Sequence, residues 1–213
     1  MRLFLFLSCA LALTSCSSVY YGAMEKIGIP KRQILVERVE SARGAQQAAK
    51  QQFASALEHF LSVTKVPPTE LKGVYDRLND ELKRSEARAK EVRDRIGSID
   101  SVAQALFGEW NLELAQYSNP ALRAQSERQL DATKRRYAEL MRVMNVAADR
   151  MEPVLVTFRD QVLFLKHNLN AQAIAALSST SQNLQQDIGR LIADMEKSIK
   201  EADAFISTMQ AVK

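Results

Sequence analysis

The chain has 213 residues, a formal net charge of +4 and 46% hydrophobic residues, which are ordinary values for a single globular or coiled domain. Seven glycines and five prolines are few for this length, and the abundance of Ala, Leu, Gln, Glu, Lys and Arg favours long helices over a sheet. The small charge excess is spread along the chain, which excludes the clustered basic face typical of a nucleic-acid-binding protein.

The first sixteen residues have the pattern of an export signal that ends in a lipobox. Arg2 supplies a positive charge, residues 3–13 are almost all apolar, and Leu13-Thr14-Ser15-Cys16 closes the segment. The apolar run is shorter than the roughly 20 residues of a membrane-spanning helix, so we expect a signal peptide over 1–15 that is cleaved between Ser15 and Cys16. Cys16 is then expected to carry the lipid; the alternative is an ordinary signal peptide with a cysteine there by chance.

Residues 16–30 are expected to form a lipidated tether close to the membrane. No Asp follows Cys16, and this resembles lipoproteins that face the periplasm from the inner leaflet of the outer membrane of Gram-negative bacteria. Aromatic rings prefer the headgroup region and basic side chains prefer anionic phosphates. Contact with the membrane surface is therefore expected for Tyr20, Tyr21, Lys26, Lys31 and Arg32. A plain tether without such contacts is the alternative.

Apolar residues recur at helical spacing over nearly all of residues 31–213. A first helix is expected to end before Pro67-Pro68, because proline lacks the amide hydrogen and clashes with the preceding turn. A second helix is expected from Thr69 to Tyr117, a length of roughly 70 Å at about 1.5 Å per residue. Asn119 and Pro120 then suit the N-cap and the first position of a third helix.

The third helix is expected to continue to a turn at residues 167–170, with a kink or short break at Pro153, and a fourth helix follows. Gly108 either lets a neighbouring helix approach closely or is a glycine that the helix merely tolerates. Four long amphipathic helices with short turns predict an all-α fold, an elongated antiparallel bundle with coiled-coil character over residues 31–213.

Catalytic and cofactor chemistry has no recognisable motif in this sequence. His59 and His167 have no metal-ligand partner at helical spacing, and the chain has no Gly-rich phosphate loop and no nucleophile elbow. Loss of Cys9 with the signal and lipidation of Cys16 would leave no thiol for a disulfide, a metal site or a nucleophile. We therefore expect a protein that is not an enzyme and holds no cofactor and no metal.

Two segments suggest surfaces for partners. The charged run Lys83–Arg95, together with Lys134-Arg135-Arg136, is either a salt-bridged surface facing solvent or a face that binds an anionic polymer. The stretch Val154–Leu165 has more hydrophobic residues than one helix stripe needs, so either the bundle encloses it or one flank meets a partner or a second copy of the chain. In the second case the contact is expected at Val156, Leu163 and Phe164.

The stretch Val19–Arg32, continuing through Ile34–Glu40 and Ala42-Arg43, resembles a proteobacterial lipoprotein family known as domain of unknown function 2959. This resemblance implies a lipid-anchored helical protein and lends no site residues. The lipobox and the final Lys213 also resemble the murein lipoproteins, in which a C-terminal lysine is joined to peptidoglycan. That second resemblance implies wall attachment through Lys213, with an unmodified, frayed C-terminus as the alternative.

These features predict a lipid-anchored periplasmic scaffold or interaction module of the cell envelope, without catalysis. Its expected partners are the membrane, reached through the N-terminal lipid, and an envelope protein or polymer, or a second copy of the chain. The alternative function is a binding module for an anionic envelope polymer, namely lipopolysaccharide, anionic lipid or peptidoglycan. No nucleic-acid partner is expected.

Overall fold

A computed structural model describes residues 21, 24, 28–63, 67 and 70–211, and only the backbone of residues 171, 173 and 176. The described residues form four long helices, which are α1 (Lys31–Ser62), α2 (Leu71–Leu114), α3 (Pro120–His167) and α4 (Ala171–Ala211). Their ends lie within a few residues of the turns that the sequence predicts. The prediction of an all-α bundle is confirmed.

The four helices pack in a ring in which each one packs mainly against two neighbours. Helix α1 contacts α2 and α4, and α3 contacts the same two helices. Lys31, the first residue of α1, lies 3.2 Å from Glu109 near the end of α2, and Arg32 donates to the Met209 carbonyl near the end of α4. Neighbouring helices therefore run antiparallel. We call the end where α1 begins the near end of the bundle, and the opposite end the far end.

The core is a set of apolar stripes, one from each helix, that meet along the bundle axis. At the far end, the rings of Phe60 from α1 and Phe158 from α3 meet edge to face with their centroids 6.0 Å apart. Both side chains are fully buried, and burial of each stabilises the fold by about 1.5–3 kcal/mol relative to exposure. Helix α3 has 48 residues, which corresponds to a rod of roughly 70 Å.

The turn between α2 and α3 has the capping chemistry that the sequence predicts. The side-chain Oδ1 of Asn119 accepts hydrogen bonds from the amides of Ala121 and Leu122, at 2.9 and 3.3 Å. Pro120 occupies the first helical position, where the missing amide hydrogen costs nothing. The cap gives α3 a defined start directly after the turn.

Proline and glycine inside the helices disturb the bundle less than the sequence suggests. Of the kink or short break expected at Pro153, the break is absent, because helix α3 continues without interruption from Pro120 to His167. Pro153 and Asp149 are both exposed, so water can hydrogen-bond to the Asp149 carbonyl that proline leaves without its helical donor. For Gly108 the structure favours the alternative of a tolerated glycine, because nothing lies within 4 Å of where its Cβ would stand.

Candidate functional site

An exposed apolar surface lies near the far end of α3. Val156, Leu163 and Phe164 keep 43%, 54% and 40% of their surface exposed, and we call these three residues the α3 patch. They share one face because steps of seven and eight residues return to the same side of a helix. Large apolar side chains grouped on a surface indicate an interaction site more often than single ones do.

The rest of the apolar stretch belongs to the core. Val154, Leu155, Phe158, Val162 and Leu165 are all less than 5% exposed. The sequence left open whether the bundle encloses the stretch Val154–Leu165 or one flank of it meets a partner, and the structure divides the stretch between a buried face and an exposed one. One face fills the bundle, and the α3 patch stays uncovered by the residues that the structure describes.

An interhelical ion pair lies beside the α3 patch. The guanidinium of Arg159 donates from Nη2 to Oε1 of Glu86 on α2 at 2.6 Å. The hydrogen bond with Glu86, supported by the charge of the same carboxylate, raises the pKa of Arg159. Arg159 thereby joins α3 to α2, while Asp160, which is also exposed, lies on the same helix face as the α3 patch.

The charged run Lys83–Arg95 contains six basic and three acidic residues, and part of its charge is paired within the run. Arg88 pairs with Glu91 at 2.7 Å and Lys90 pairs with Asp94 at 2.5 Å, both along the exposed side of α2. Such exposed pairs at helical spacing contribute only about 0.3–0.5 kcal/mol each. The run therefore presents both signs of charge to solvent.

Glu81 is the most deeply buried acidic residue among those whose contacts the structure describes. Its side chain is 5% exposed, and its carboxylate accepts hydrogen bonds from Gln52 of α1 and from Arg84. His59 of α1 lies 3.4 Å from the same carboxylate. The hydrogen bond and the charge of Glu81 raise the pKa of Arg84. This cluster, which the sequence analysis did not identify, links α1 to α2 near the far end.

Three of the expected membrane contacts lie in the bundle. Tyr21 is 6% exposed and its hydroxyl hydrogen-bonds Ser101 of α2 at 3.0 Å. Lys31 is buried against Glu109. Arg32 is partly buried, and this burial lowers its pKa. The structure thus corrects the expectation for Tyr21 and Lys31, because side chains enclosed by neighbouring helices have little surface left for lipid.

The other expected N-terminal and C-terminal sites are not part of the described structure. Ser15, Cys16, Tyr20, Lys26 and Lys213 all lie outside the described residues. In the described ranges, no group of three or more His, Cys, Asp or Glu side chains is arranged to hold a metal ion. None of the described helices combines the length and the apolar character needed to cross a membrane.

Comparison with known proteins places the chain in a family. A family model described as a protein of unknown function, DUF2959, matches residues 20–209. No curated protein and no solved structure matches the chain. The match extends from just before Tyr21 nearly to the end of α4, and so covers the whole four-helix bundle. The chain therefore belongs to the DUF2959 family of proteins of unknown function.

Proposed function

We propose that this protein is a lipid-anchored scaffold of the bacterial envelope that presents a partner-binding surface away from the membrane, without catalysis. The anchor is the lipid on Cys16, in the inner leaflet of the outer membrane. The helical bundle is the spacer. The α3 patch is the surface that meets the partner, which is another envelope protein or a second copy of the chain.

The anchor is supported by the lipobox and by the length of the chain that follows it. Four residues separate Cys16 from Tyr21, which already packs on α2, so five Cα–Cα steps join the two. A lipid on Cys16 would therefore hold the bundle within about 17 Å of the membrane surface, at the maximum of roughly 3.5 Å per residue. More than one acyl chain is needed for stable attachment, because a single chain binds membranes only marginally.

The single observation that carries the partner-binding part of the proposal is the exposure of Val156, Leu163 and Phe164. These residues lie near the far end, at the level of Phe60 in the last turn of α1. Helix α1 spans 32 residues, or roughly 48 Å, between the near end and that level. A partner bound to the α3 patch would thus be held tens of ångströms from the lipid.

The alternative, a binding module for an anionic polymer, has less support from the described surface. Five of the six basic residues in Lys83–Arg95 lie within 4.0 Å of a carboxylate inside or outside the run, although the run itself keeps an excess of positive charge. In the second basic segment, Lys134 lies 6.0 Å from the centre of the Phe107 ring in a cation-π contact. Arg135 and Arg136 are exposed, but two arginines make a small target for a polyanion. Wall attachment through Lys213 stays a prediction.

Membrane fractionation of cells tests the anchor. The wild-type protein should remain with the membranes, and the Cys16→Ala variant should appear in the soluble periplasmic fraction because no thioether can form. A Cys9→Ala variant is the matched control, since Cys9 lies in the predicted signal and its loss should leave the protein with the membranes. Retention in the membrane of a Cys16→Ala protein from which residues 1–15 have been removed would contradict the lipid anchor.

Photo-crosslinking in intact cells tests the surface. A photoreactive residue at Leu163 or Phe164 should form one discrete adduct, and the same residue at Gln129, an exposed polar position on α3, should not. Coexpressing copies with two different tags distinguishes a second copy of the chain from another envelope protein. Absence of an adduct from every position of the α3 patch would refute this use of the surface.

A further inference from the structure

A second exposed apolar surface lies at the near end, on the turn that joins α2 to α3. Leu112 is 74% exposed, Leu122 is 52% exposed and Tyr117 is 42% exposed. We call residues 112–122 the hairpin tip. A hydrogen bond of 2.8 Å from the indole Nε1 of Trp110 to the Ser126 hydroxyl holds the two helices together just behind it.

The hairpin tip extends beyond the ends of α1 and α4. Lys31, where α1 begins, is level with Glu109, and α2 continues for another five residues, or about 8 Å. Leu122 lies four residues before the buried Ser126 and eight before the buried Leu130. It therefore continues the core stripe of α3 into a region where the bundle no longer covers it.

The exposed apolar residues point in different directions around the hairpin tip. Leu112 lies two residues from the buried Leu114, which corresponds to a rotation of about 200° around the helix. Leu112 thus faces away from the side that Leu114 buries, whereas Leu122 lies on the core stripe of its own helix. A partner docking from one side would contact only part of this set, but a surface that receives the tip end-on would contact all of it.

The short length of chain between Cys16 and Tyr21 limits where the membrane can lie relative to the bundle. Ser101, which hydrogen-bonds Tyr21, is 13 residues or about 20 Å before the end of α2. The five Cα–Cα steps from Cys16 to Tyr21 reach at most about 17 Å. A fully extended tether thus brings Cys16 close to the level of the hairpin tip and no farther.

The same limit excludes the opposite orientation. From Ser101 to Leu71 at the far-end terminus of α2 there are 30 residues, or about 45 Å. A tether of about 17 Å is too short to span these roughly 45 Å. A lipid on Cys16 therefore cannot enter a membrane located at the far end. The end of the bundle that can meet the anchoring membrane is the one that carries Leu112, Tyr117 and Leu122.

We propose that the hairpin tip inserts Leu112, Tyr117 and Leu122 into the headgroup region of the phospholipid bilayer that holds the Cys16 lipid. The bundle then stands on the membrane with this tip downward. The inference rests on the proposed lipid anchor. Leucine and tyrosine suit this zone because the aliphatic side chains and the ring enter the apolar boundary while the hydroxyl stays hydrated. Arg123, exposed beside Leu122, can reach lipid phosphates.

Site-specific labelling of the full-length, processed protein tests the insertion. Cysteine is introduced singly as Tyr117→Cys or Leu122→Cys, with Leu163→Cys at the far end as the matched control. Each variant is labelled with a thiol-reactive fluorophore and reconstituted into phosphatidylethanolamine and phosphatidylglycerol vesicles that carry a nitroxide on the lipid headgroup. Labels at positions 117 and 122 should lose most of their fluorescence, and the label at position 163 should keep its own.

The outcomes separate this inference from the anchor itself. If Cys16 is lipidated, the unsubstituted protein takes up no label and floats with the vesicles. Floating protein whose tip labels stay as bright as the label at position 163 would overturn the insertion and leave the anchor intact. Equal quenching at all three positions would overturn the upright orientation. Labelling of the unsubstituted protein at Cys16 would overturn both proposals.

Discussion

The Ser198 hydroxyl of α4 donates a hydrogen bond of 2.8 Å to Oε1 of Gln46 on α1, and both side chains are fully buried. The other end of the Gln46 amide, Nε2, is buried without a hydrogen-bond partner among the described residues. A buried polar group without a partner costs roughly 1–3 kcal/mol. The hydrogen bond therefore joins α1 to α4, while the unpaired Gln46 Nε2 offsets part of the stabilisation.

Substitutions at this pair should have opposite effects. Ser198→Ala should lower the free energy of unfolding by about 1–3 kcal/mol, because the Gln46 carbonyl oxygen also loses its partner. The double variant Gln46→Leu with Ser198→Ala should be at least as stable as wild type, since no polar atom then remains unpaired. Urea denaturation followed by circular dichroism measures both. A double variant clearly less stable than wild type would contradict this account.

Gly28 and Gly97 should respond oppositely to alanine. Gly28 has a φ of +86°, and the Ile29 amide after it donates to the Met24 carbonyl, as in a Schellman motif. Gly28→Ala should destabilise the protein by roughly 1–2 kcal/mol, because an L-residue is strained there. Gly97→Ala within α2 should stabilise it by about 0.5–1 kcal/mol. Neither new Cβ meets an atom within 4 Å, so thermal unfolding reports the backbone effect alone.

Glu81 and Glu86 provide a comparison between a buried and an exposed carboxylate on the same helix. Glu81→Gln should cost about 1.5–3 kcal/mol, because charge-assisted hydrogen bonds from Gln52 and Arg84 are weakened in a buried setting. Glu86→Gln, whose partner Arg159 is half exposed, should cost only about 0–1 kcal/mol. Chemical denaturation of the two variants side by side tests the difference. Equal losses would indicate that burial of Glu81 has no energetic effect.

Tyr137 should make stability depend on alkaline pH. Partial burial, together with a hydrogen bond of 2.6 Å to Asp100, raises the pKa of Tyr137 well above its usual value. A raised pKa stabilises the fold fully below about pH 10, where the unfolded tyrosine is also protonated, and this contribution decreases as pH rises further. The stability difference between wild type and Tyr137→Phe should therefore shrink above about pH 10. A difference that stays constant to higher pH would contradict the shift.

Much of the architecture can be predicted from the sequence because helix signals are local. The double proline at 67–68, the Asn119-Pro120 start and the helical spacing of apolar residues place each helix to within a few residues. Whether the helix breaks at Pro153 is harder to predict, because the cost of a proline inside a helix depends on whether water reaches the carbonyl that is left unpaired. Its exposed position, which explains the unbroken helix, is a tertiary property.

The candidate surfaces were only partly predictable, since periodicity says which residues share a face and not what covers that face. Val156, Leu163 and Phe164 could be singled out because the stretch around them has more apolar residues than one stripe requires. Leu112 and Leu122 could not, because Leu122 continues an ordinary core stripe. Its exposure depends on how far α2 and α3 extend past their neighbours. No local sequence pattern determines this difference in length and register between helices.

Four long helices and a lipid at Cys16 can be predicted without knowing how the chain packs, because both predictions depend on signals contained within a few adjacent turns or residues. The burial of Tyr21 and Lys31, and the exposure of the α3 patch and the hairpin tip, become visible only once the helices are packed together. Burial is a relation between helices, set by their relative lengths and register, and not a property of any one segment.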